Sequence, residues 1–264
     1  MTTDDASTDG AQRDARPERS GAFWLLEADS LSLFTPATPE MASQAFKYET
    51  APTLAMLAIA GGKGGCGKTT TALGLARAMA RMSQRPLVVE ADLDMPDLHH
   101  RAETDRQPGV STAADARRPR DVAQPSGRFP GVDVLPGTDT DTATAAALFE
   151  RLGESEVPVL LDCPAGAGPD AVAPLRAADR SVVVSTPREQ SLRDAAKTAA
   201  MARQLEADPA AVVLVRSDGS VDPEPLFECQ RVVHVPELPE PPLETQESAA
   251  RHLQCAKTLD KRNI

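Results

Sequence analysis

The chain has 264 residues, 41% of them hydrophobic and 25% charged, enough for one α/β domain with a substantial core and some additional sequence. Its 39 acidic residues outnumber 28 basic ones, and the net charge of −11 opposes nonspecific attraction to nucleic-acid phosphates or anionic lipid. No run of about 18 apolar residues marks a membrane span, and no basic-then-apolar start marks a signal peptide, so the expectation is a cytoplasmic protein.

Residues 1–50 read as a disordered N-terminal extension, or as sequence upstream of a mis-called start. Residues 1–20 are polar and charged, and the short apolar stretch Ala22–Leu26 leads only into loop-like sequence. The only Trp (Trp24) and the only Tyr (Tyr48) lie here. Residues 51–264 read as the folded domain. Leu54–Ala60 is a continuous apolar run, as expected of a strand buried on both faces. A glycine-rich turn follows, then a helix over Thr69–Met82. Leu87–Ala91 is a second strand, and residues 100–128 are polar, with one short helix near 112–118. Further strands fall at Val132–Leu135, Val157–Leu161, Ser181–Ser185, Ala210–Val215 and Val232–Val235. Helices fall between them at Ala143–Leu152, Ala171–Ala178 and Gln190–Glu206, with a last one at Glu247–Leu259. Strands alternating with helices at this spacing imply an α/β fold, a mostly parallel sheet flanked by helices on both faces.

The turn after the first strand carries the chemistry. Gly62-Lys63-Gly64-Gly65-Cys66-Gly67-Lys68-Thr69 satisfies the phosphate-loop pattern G-x-x-x-x-G-K-[ST], and it lies between a buried strand and a helix, where that pattern works. Glycines let the main chain curl so that amide groups point at phosphate oxygens. The helix N-terminus adds its positive dipole. Lys68 is expected to reach the β- and γ-phosphates and Thr69 to bind Mg²⁺, with Gly62 through Thr70 forming the nucleotide cradle. Two acidic segments accompany it: Glu90-Ala91-Asp92-Leu93-Asp94 after the second strand, and Leu160-Leu161-Asp162-Cys163-Pro164-Ala165-Gly166 at the end of a central one. Asp162 is expected at the metal. Asp94 and Asp97 read as surface or helix-capping carboxylates.

Lys63, Lys68 and the flanking glycines together resemble the deviant Walker A motif of the MinD/ParA family of ATPases. The resemblance covers roughly residues 54–255. It implies the P-loop fold, ATP and Mg²⁺ as ligands, and a homodimer formed on ATP binding, in which Lys63 crosses to the nucleotide of the other subunit. It also implies that Asp92 positions the attacking water near the metal, that Pro164-Ala165-Gly166 senses the γ-phosphate, and that Pro236 packs on the base. Lys63, Lys68 and Asp92 are then the catalytic set, and Thr69, Asp92 and Asp162 the metal set. Two departures stand out. Glu90 replaces the family's usual aspartate, and Val215-Arg216 replaces its Asn-Arg, so GTP remains open beside ATP.

The resemblance implies a switch that engages an activator or cargo protein, as in chromosome or plasmid partitioning or cell-division positioning. DNA is a possible surface, through Arg117–Arg120 or the set Arg188, Arg193, Lys197 and Arg203, although a solvated basic face is the commoner explanation. A membrane is less favoured, because 251–262 has mixed charge and few large apolar residues. Two other readings remain: an ATP-dependent synthetase of the dethiobiotin or cobyrinic acid type, which does not need Lys63, and an iron–sulfur carrier relative. Against the latter, Cys66, Cys163, Cys229 and Cys255 form no Cys-x-x-Cys pair and read as buried thiols. Only six lysines and many carboxylates suit a halophilic source.

Overall fold

The computed structural model describes residues 56–259, and the expectation for residues 1–50 lies outside them. Eight strands form one sheet: β1 (Met56–Gly61), β2 (Leu87–Glu90), β3 (Gln124–Pro125), β4 (Asp133–Leu135), β5 (Val159–Ala165), β6 (Arg180–Ser185), β7 (Pro209–Val215) and β8 (Val232–Val235). Their spatial order is β3-β4-β2-β5-β1-β6-β7-β8. Every pairing is parallel except that of the two-residue edge strand β3 with β4.

The helices are α1 (Lys68–Arg81), α2 (Leu98–Ala102), α3 (Val110–Asp115), α4 (Thr142–Leu152), α5 (Val172–Ala177), α6 (Glu189–Gln204), α7 (Glu224–Phe227) and α8 (Gln246–Leu259). The strands sort their side chains by the two-residue period onto opposite faces. In β1, Leu57 and Ile59 join the layer containing α1 and α8, while Met56, Ala58 and Ala60 join the layer containing α4 and α5. The same alternation divides Val88 from Val89, Leu160 from Leu161, and Val213 from Val212. Burial on both faces explains why these strands are unbroken apolar runs rather than alternating ones.

The structure adds elements within the polar stretch 100–128 and just before it. Helix α2 is only five residues long, and its sequence, Leu-His-His-Arg-Ala, has no periodic apolar stripe. The short helix expected near 112–118 lies at Val110–Asp115. Strand β5 runs through Pro164 to Ala165, past the end expected from its apolar run. All the parallel strands end at one edge of the sheet, and the loops that follow β1, β2, β5, β7 and β8 gather there. That edge is where an open parallel sheet binds ligands.

Candidate functional site

The loop between β1 and α1 folds as a concave main-chain nest. Gly65 (φ 71°) and Gly67 (φ 98°) occupy the left-handed region, which a side chain makes costly. Gly67 holds the N-cap position of α1 and, as a glycine, offers no side-chain acceptor to the first-turn amides of the helix. On its back the loop is tight. A Cβ at Gly61 would meet the Val184 carbonyl oxygen at 2.6 Å, and one at Gly62 would overlap the backbone of Asp194 and Ala195 in α6. On its front, Gly64 and Gly65 face open space. The open side is a cleft of about 450 Å³.

Lys68 is buried against this cleft, 9% exposed, and Thr69 and Thr70 line it beside Gly64, Gly65 and Gly67. Cys66 does not present its side chain there. Its thiol is buried and donates to the Val184 carbonyl at 3.6 Å, so only its main chain is available to a ligand. Gly62 serves as the close contact with α6. Lys63 is exposed and is not on the cleft wall. Its charge acts instead near Asp194, whose carboxyl is held below the usual range first by hydrogen bonds from Gln190 and Lys197 and then by the two lysine charges.

The acidic wall comes from three elements. Asp162 in β5 stands beside Ile59 of β1 on one side and Glu90 of β2 on the other. Carboxylate oxygens of Glu90, Asp97 and Asp162 lie within 4.8 Å of one another, which makes them a candidate cation site. Asp162 is 1% exposed; its Oδ1 has no partner among the described residues, while the nearby Thr69 hydroxyl favours the charged carboxylate. Burial pushes the Asp162 carboxyl up, against the Thr69 hydrogen bond and the Lys68 charge. Burial and then the facing Asp162 push Glu90 up as well. A buried carboxylate oxygen without a partner, next to a hydroxyl and two further acids, fits the hard, oxygen-seeking Mg²⁺.

The structure also settles what Glu90 touches. Its Oε2 accepts the Leu98 amide at 2.7 Å, so Glu90 caps α2 from the end of β2. Asp97 holds the N-cap position but makes no cap bond. The expectation of a surface or capping carboxylate holds for its place, at the helix start with 43% of the side chain exposed; instead of a cap bond it makes a pair with Arg101 at 2.7 Å, and it also joins the acidic cluster. Asp92 lines the cleft, and its Oδ1 accepts the Met95 amide at 3.2 Å.

The far wall of the cleft is built by Val215, Arg216, Pro236, Glu237 and two residues of α8, Ser248 and His252. Arg216 has a left-handed backbone (φ 53°), and its Nη2 donates to the Gly65 carbonyl at 2.9 Å, tying the end of β7 to the phosphate loop. His252 is buried, and burial lowers its pKa, so the ring is neutral near pH 7. Neither α8 residue is legible as a site residue, since nothing in the sequence of a C-terminal helix says that its inner face reaches a loop after residue 61.

A strand–nest–helix cradle with a buried lysine, a threonine and an acidic strand end, on the C-terminal edge of a parallel sheet, defines a P-loop nucleotide-binding protein. The family model for the CobQ/CobB/MinD/ParA nucleotide binding domain matches residues 57–230, and the chain belongs to that family. An uncharacterised ATP-binding protein of Methanocaldococcus jannaschii is 31% identical over 160 residues, 58% of this chain and 60% of that protein. The septum site-determining protein MinD of Synechocystis is 29% identical over 152 residues, 53% of this chain and 56% of that protein. The chain thus spans under two thirds of the length of the curated relatives it matches. The solved structure of septum site-determining protein MinD of Pyrococcus horikoshii, in complex with Mg-ADP, superposes with a TM-score of 0.69 at 22% identity, covering 78% of this chain and 96% of that one.

Proposed function

We propose that this chain is a magnesium-dependent ATP hydrolase acting as a dimeric switch: ATP joins two copies, the joined form engages a partner, and hydrolysis separates them. The observation that carries this reading is the division between two lysines of one loop. Lys68 is buried against the cleft, whereas Lys63 is exposed on the same loop and stands off the cleft wall. A lysine meant for its own nucleotide gains nothing from that outer position. One meant for the nucleotide of a second copy requires it. The synthetase branch of the same family has no such requirement.

In this reading the main-chain amides of Gly64 to Thr70 and the Lys68 ammonium hold the phosphates. Thr69 and Asp162 would hold Mg²⁺, which would supply positive charge against the phosphates. Asp92, fixed by the Met95 amide, orients a water toward the γ-phosphate. Pro236 flanks the base. Because the Val215 side chain offers no polar group, the base is read by main-chain groups or by another side chain of the wall, where Ser248 and His252 are the polar side chains of α8.

The switch serves positioning in the cytoplasm, in partitioning or division, with an activator or cargo protein as its partner. DNA is the weaker alternative. On α6, Arg193 pairs with Glu189 at 2.5 Å and Lys197 with Asp194 at 3.0 Å, which leaves little net charge for phosphates. A membrane is weaker still. In α8, Cys255, Ala256 and Leu259 are buried in the core layer shared with α1, and no helix among the described residues is long and apolar enough to cross a bilayer.

Light scattering and phosphate release with wild type and three variants test this. Lys68→Ala is expected to lose nucleotide binding. Lys63→Ala is expected to bind ATP yet stay monomeric. Asp92→Ala is expected to dimerise with ATP and to hydrolyse it about 100-fold more slowly or worse. Normal dimerisation of Lys63→Ala removes the switch, and a wild-type rate in Asp92→Ala removes its role.

A further inference from the structure

The last two turns of α1, the loop Arg128–Pro130 and the turn Leu243–Glu244 enclose a second cleft of about 420 Å³, at the opposite end of α1 from the phosphate loop. Its lining concentrates positive charge in a chain whose net charge is −11: Arg77, Arg81 and Arg128 converge, with Glu244 the one acid among the described residues that line it. Arg77 and Arg81 are one helical turn apart on the same face, so they act on one volume. The charge of Arg81, after burial, lowers the pKa of Arg77, which places the two guanidinium groups close enough to oppose each other.

Their present partners satisfy little of this charge. Arg77 donates to the main-chain carbonyl of Leu243, a neutral acceptor. Arg128 pairs with Glu244 at 2.8 Å, but its buried Nε has no partner among the described residues, and its guanidinium lies 5.6 Å from the centre of the Phe129 ring. Arg81 has no ion pair among the described residues. Three cations thus share one carboxylate, and that carboxylate, with 62% of its side chain exposed, can swing out to solvent. Phe129, Pro130 and Leu243 supply an apolar side to the same cleft.

We propose that this cleft is a second ligand site, taking a small phosphate-bearing molecule of two or more negative charges, with Glu244 as a tethered carboxylate that the ligand displaces from Arg128. Arginine forks match phosphate oxygens in pairs. A concave volume of this size suits a small molecule rather than a flat macromolecular surface. The turn that supplies Glu244 also places Pro242 on the wall of the nucleotide cleft, so the two sites share a wall.

Calorimetric titration with inorganic pyrophosphate, with the heat of the same injections into protein-free Mg·ADP subtracted, tests the site on the full chain saturated with Mg·ADP in excess Mg²⁺, which keeps the probe out of the phosphate loop. One further binding event is expected. Arg81→Gln should weaken it about tenfold through loss of a charged hydrogen-bond donor. Glu244→Gln should tighten it severalfold by removing the competing carboxylate. Both residues are exposed, so neither change threatens the fold. Absence of heat in both wild type and Glu244→Gln overturns the proposal. So does Arg81→Gln without effect, or Glu244→Gln weakening the binding.

Discussion

Glu90 shows how one side chain carries two opposed demands. It is 1% exposed, faces the buried Asp162, and still holds the first amide of α2. The cap favours a carboxylate oxygen, while burial and the neighbouring acid disfavour its charge. Because its folded pKa is raised, its contribution to stability is complete below the ordinary glutamate value of 4.5 and is lost as the pH rises through the folded value. Glu90→Gln keeps an acceptor for the Leu98 amide and removes the charge. Without nucleotide or magnesium, the variant is expected to melt higher than wild type at alkaline pH and to show a flatter dependence on pH; equal melting curves at every pH discard this account. The phosphate-loop pattern was legible because it is local, a matter of glycines, one lysine and one threonine in a row, but which of its residues line the cleft was not: Gly62 and Cys66 pack on the back of the loop and Lys63 stands off the wall. Asp97, Ser248 and His252 were not legible either, because each reaches the cleft only through the packing of α2 or α8.

At the scale of elements, α1 is the axis on which the clefts are arranged, and α8 packs along it through a shared core with one especially close approach. A Cβ on Gly74 would come within 2.5 Å of the His252 ring, so glycine is what lets α8 seat. Gly74→Ala is expected to cost about 1–3 kcal/mol by overpacking. It should also weaken nucleotide binding, because the displaced helix carries Ser248 and His252 of the cleft wall. Denaturation of Gly74→Ala, His252→Ala and the double variant checks this. Strong coupling is expected, and strictly additive effects would show that the two residues do not oppose each other. The long strands and helices were legible because period and composition suffice for elements buried along a face. Helix α2 and strand β3 were not. A five-residue helix and a two-residue strand have too few residues for a pattern, and they exist because Glu90 caps the one and β4 pairs with the other.

For the whole molecule, the excess of acid over base is the property that no single contact explains. A net charge of −11 repels itself in the compact state. Raising sodium chloride from about 0.1 M to about 1 M shortens the screening length severalfold. The melting temperature is expected to rise with it, and a flat or falling trend would show that the surface charge carries no cost to the fold. The sequence by itself determined the α/β class, the parallel sheet, the phosphate loop and its two acidic partners, because these rest on periods and spacings within short stretches of chain. Only the tertiary structure decided that Lys68 faces inward and Lys63 outward. It alone gathered three acids, one of them with a buried unpartnered oxygen, and brought three arginines to the far end of one helix. These depend on side chains from distant stretches meeting in space, and contacts of that kind leave no period in the chain to read.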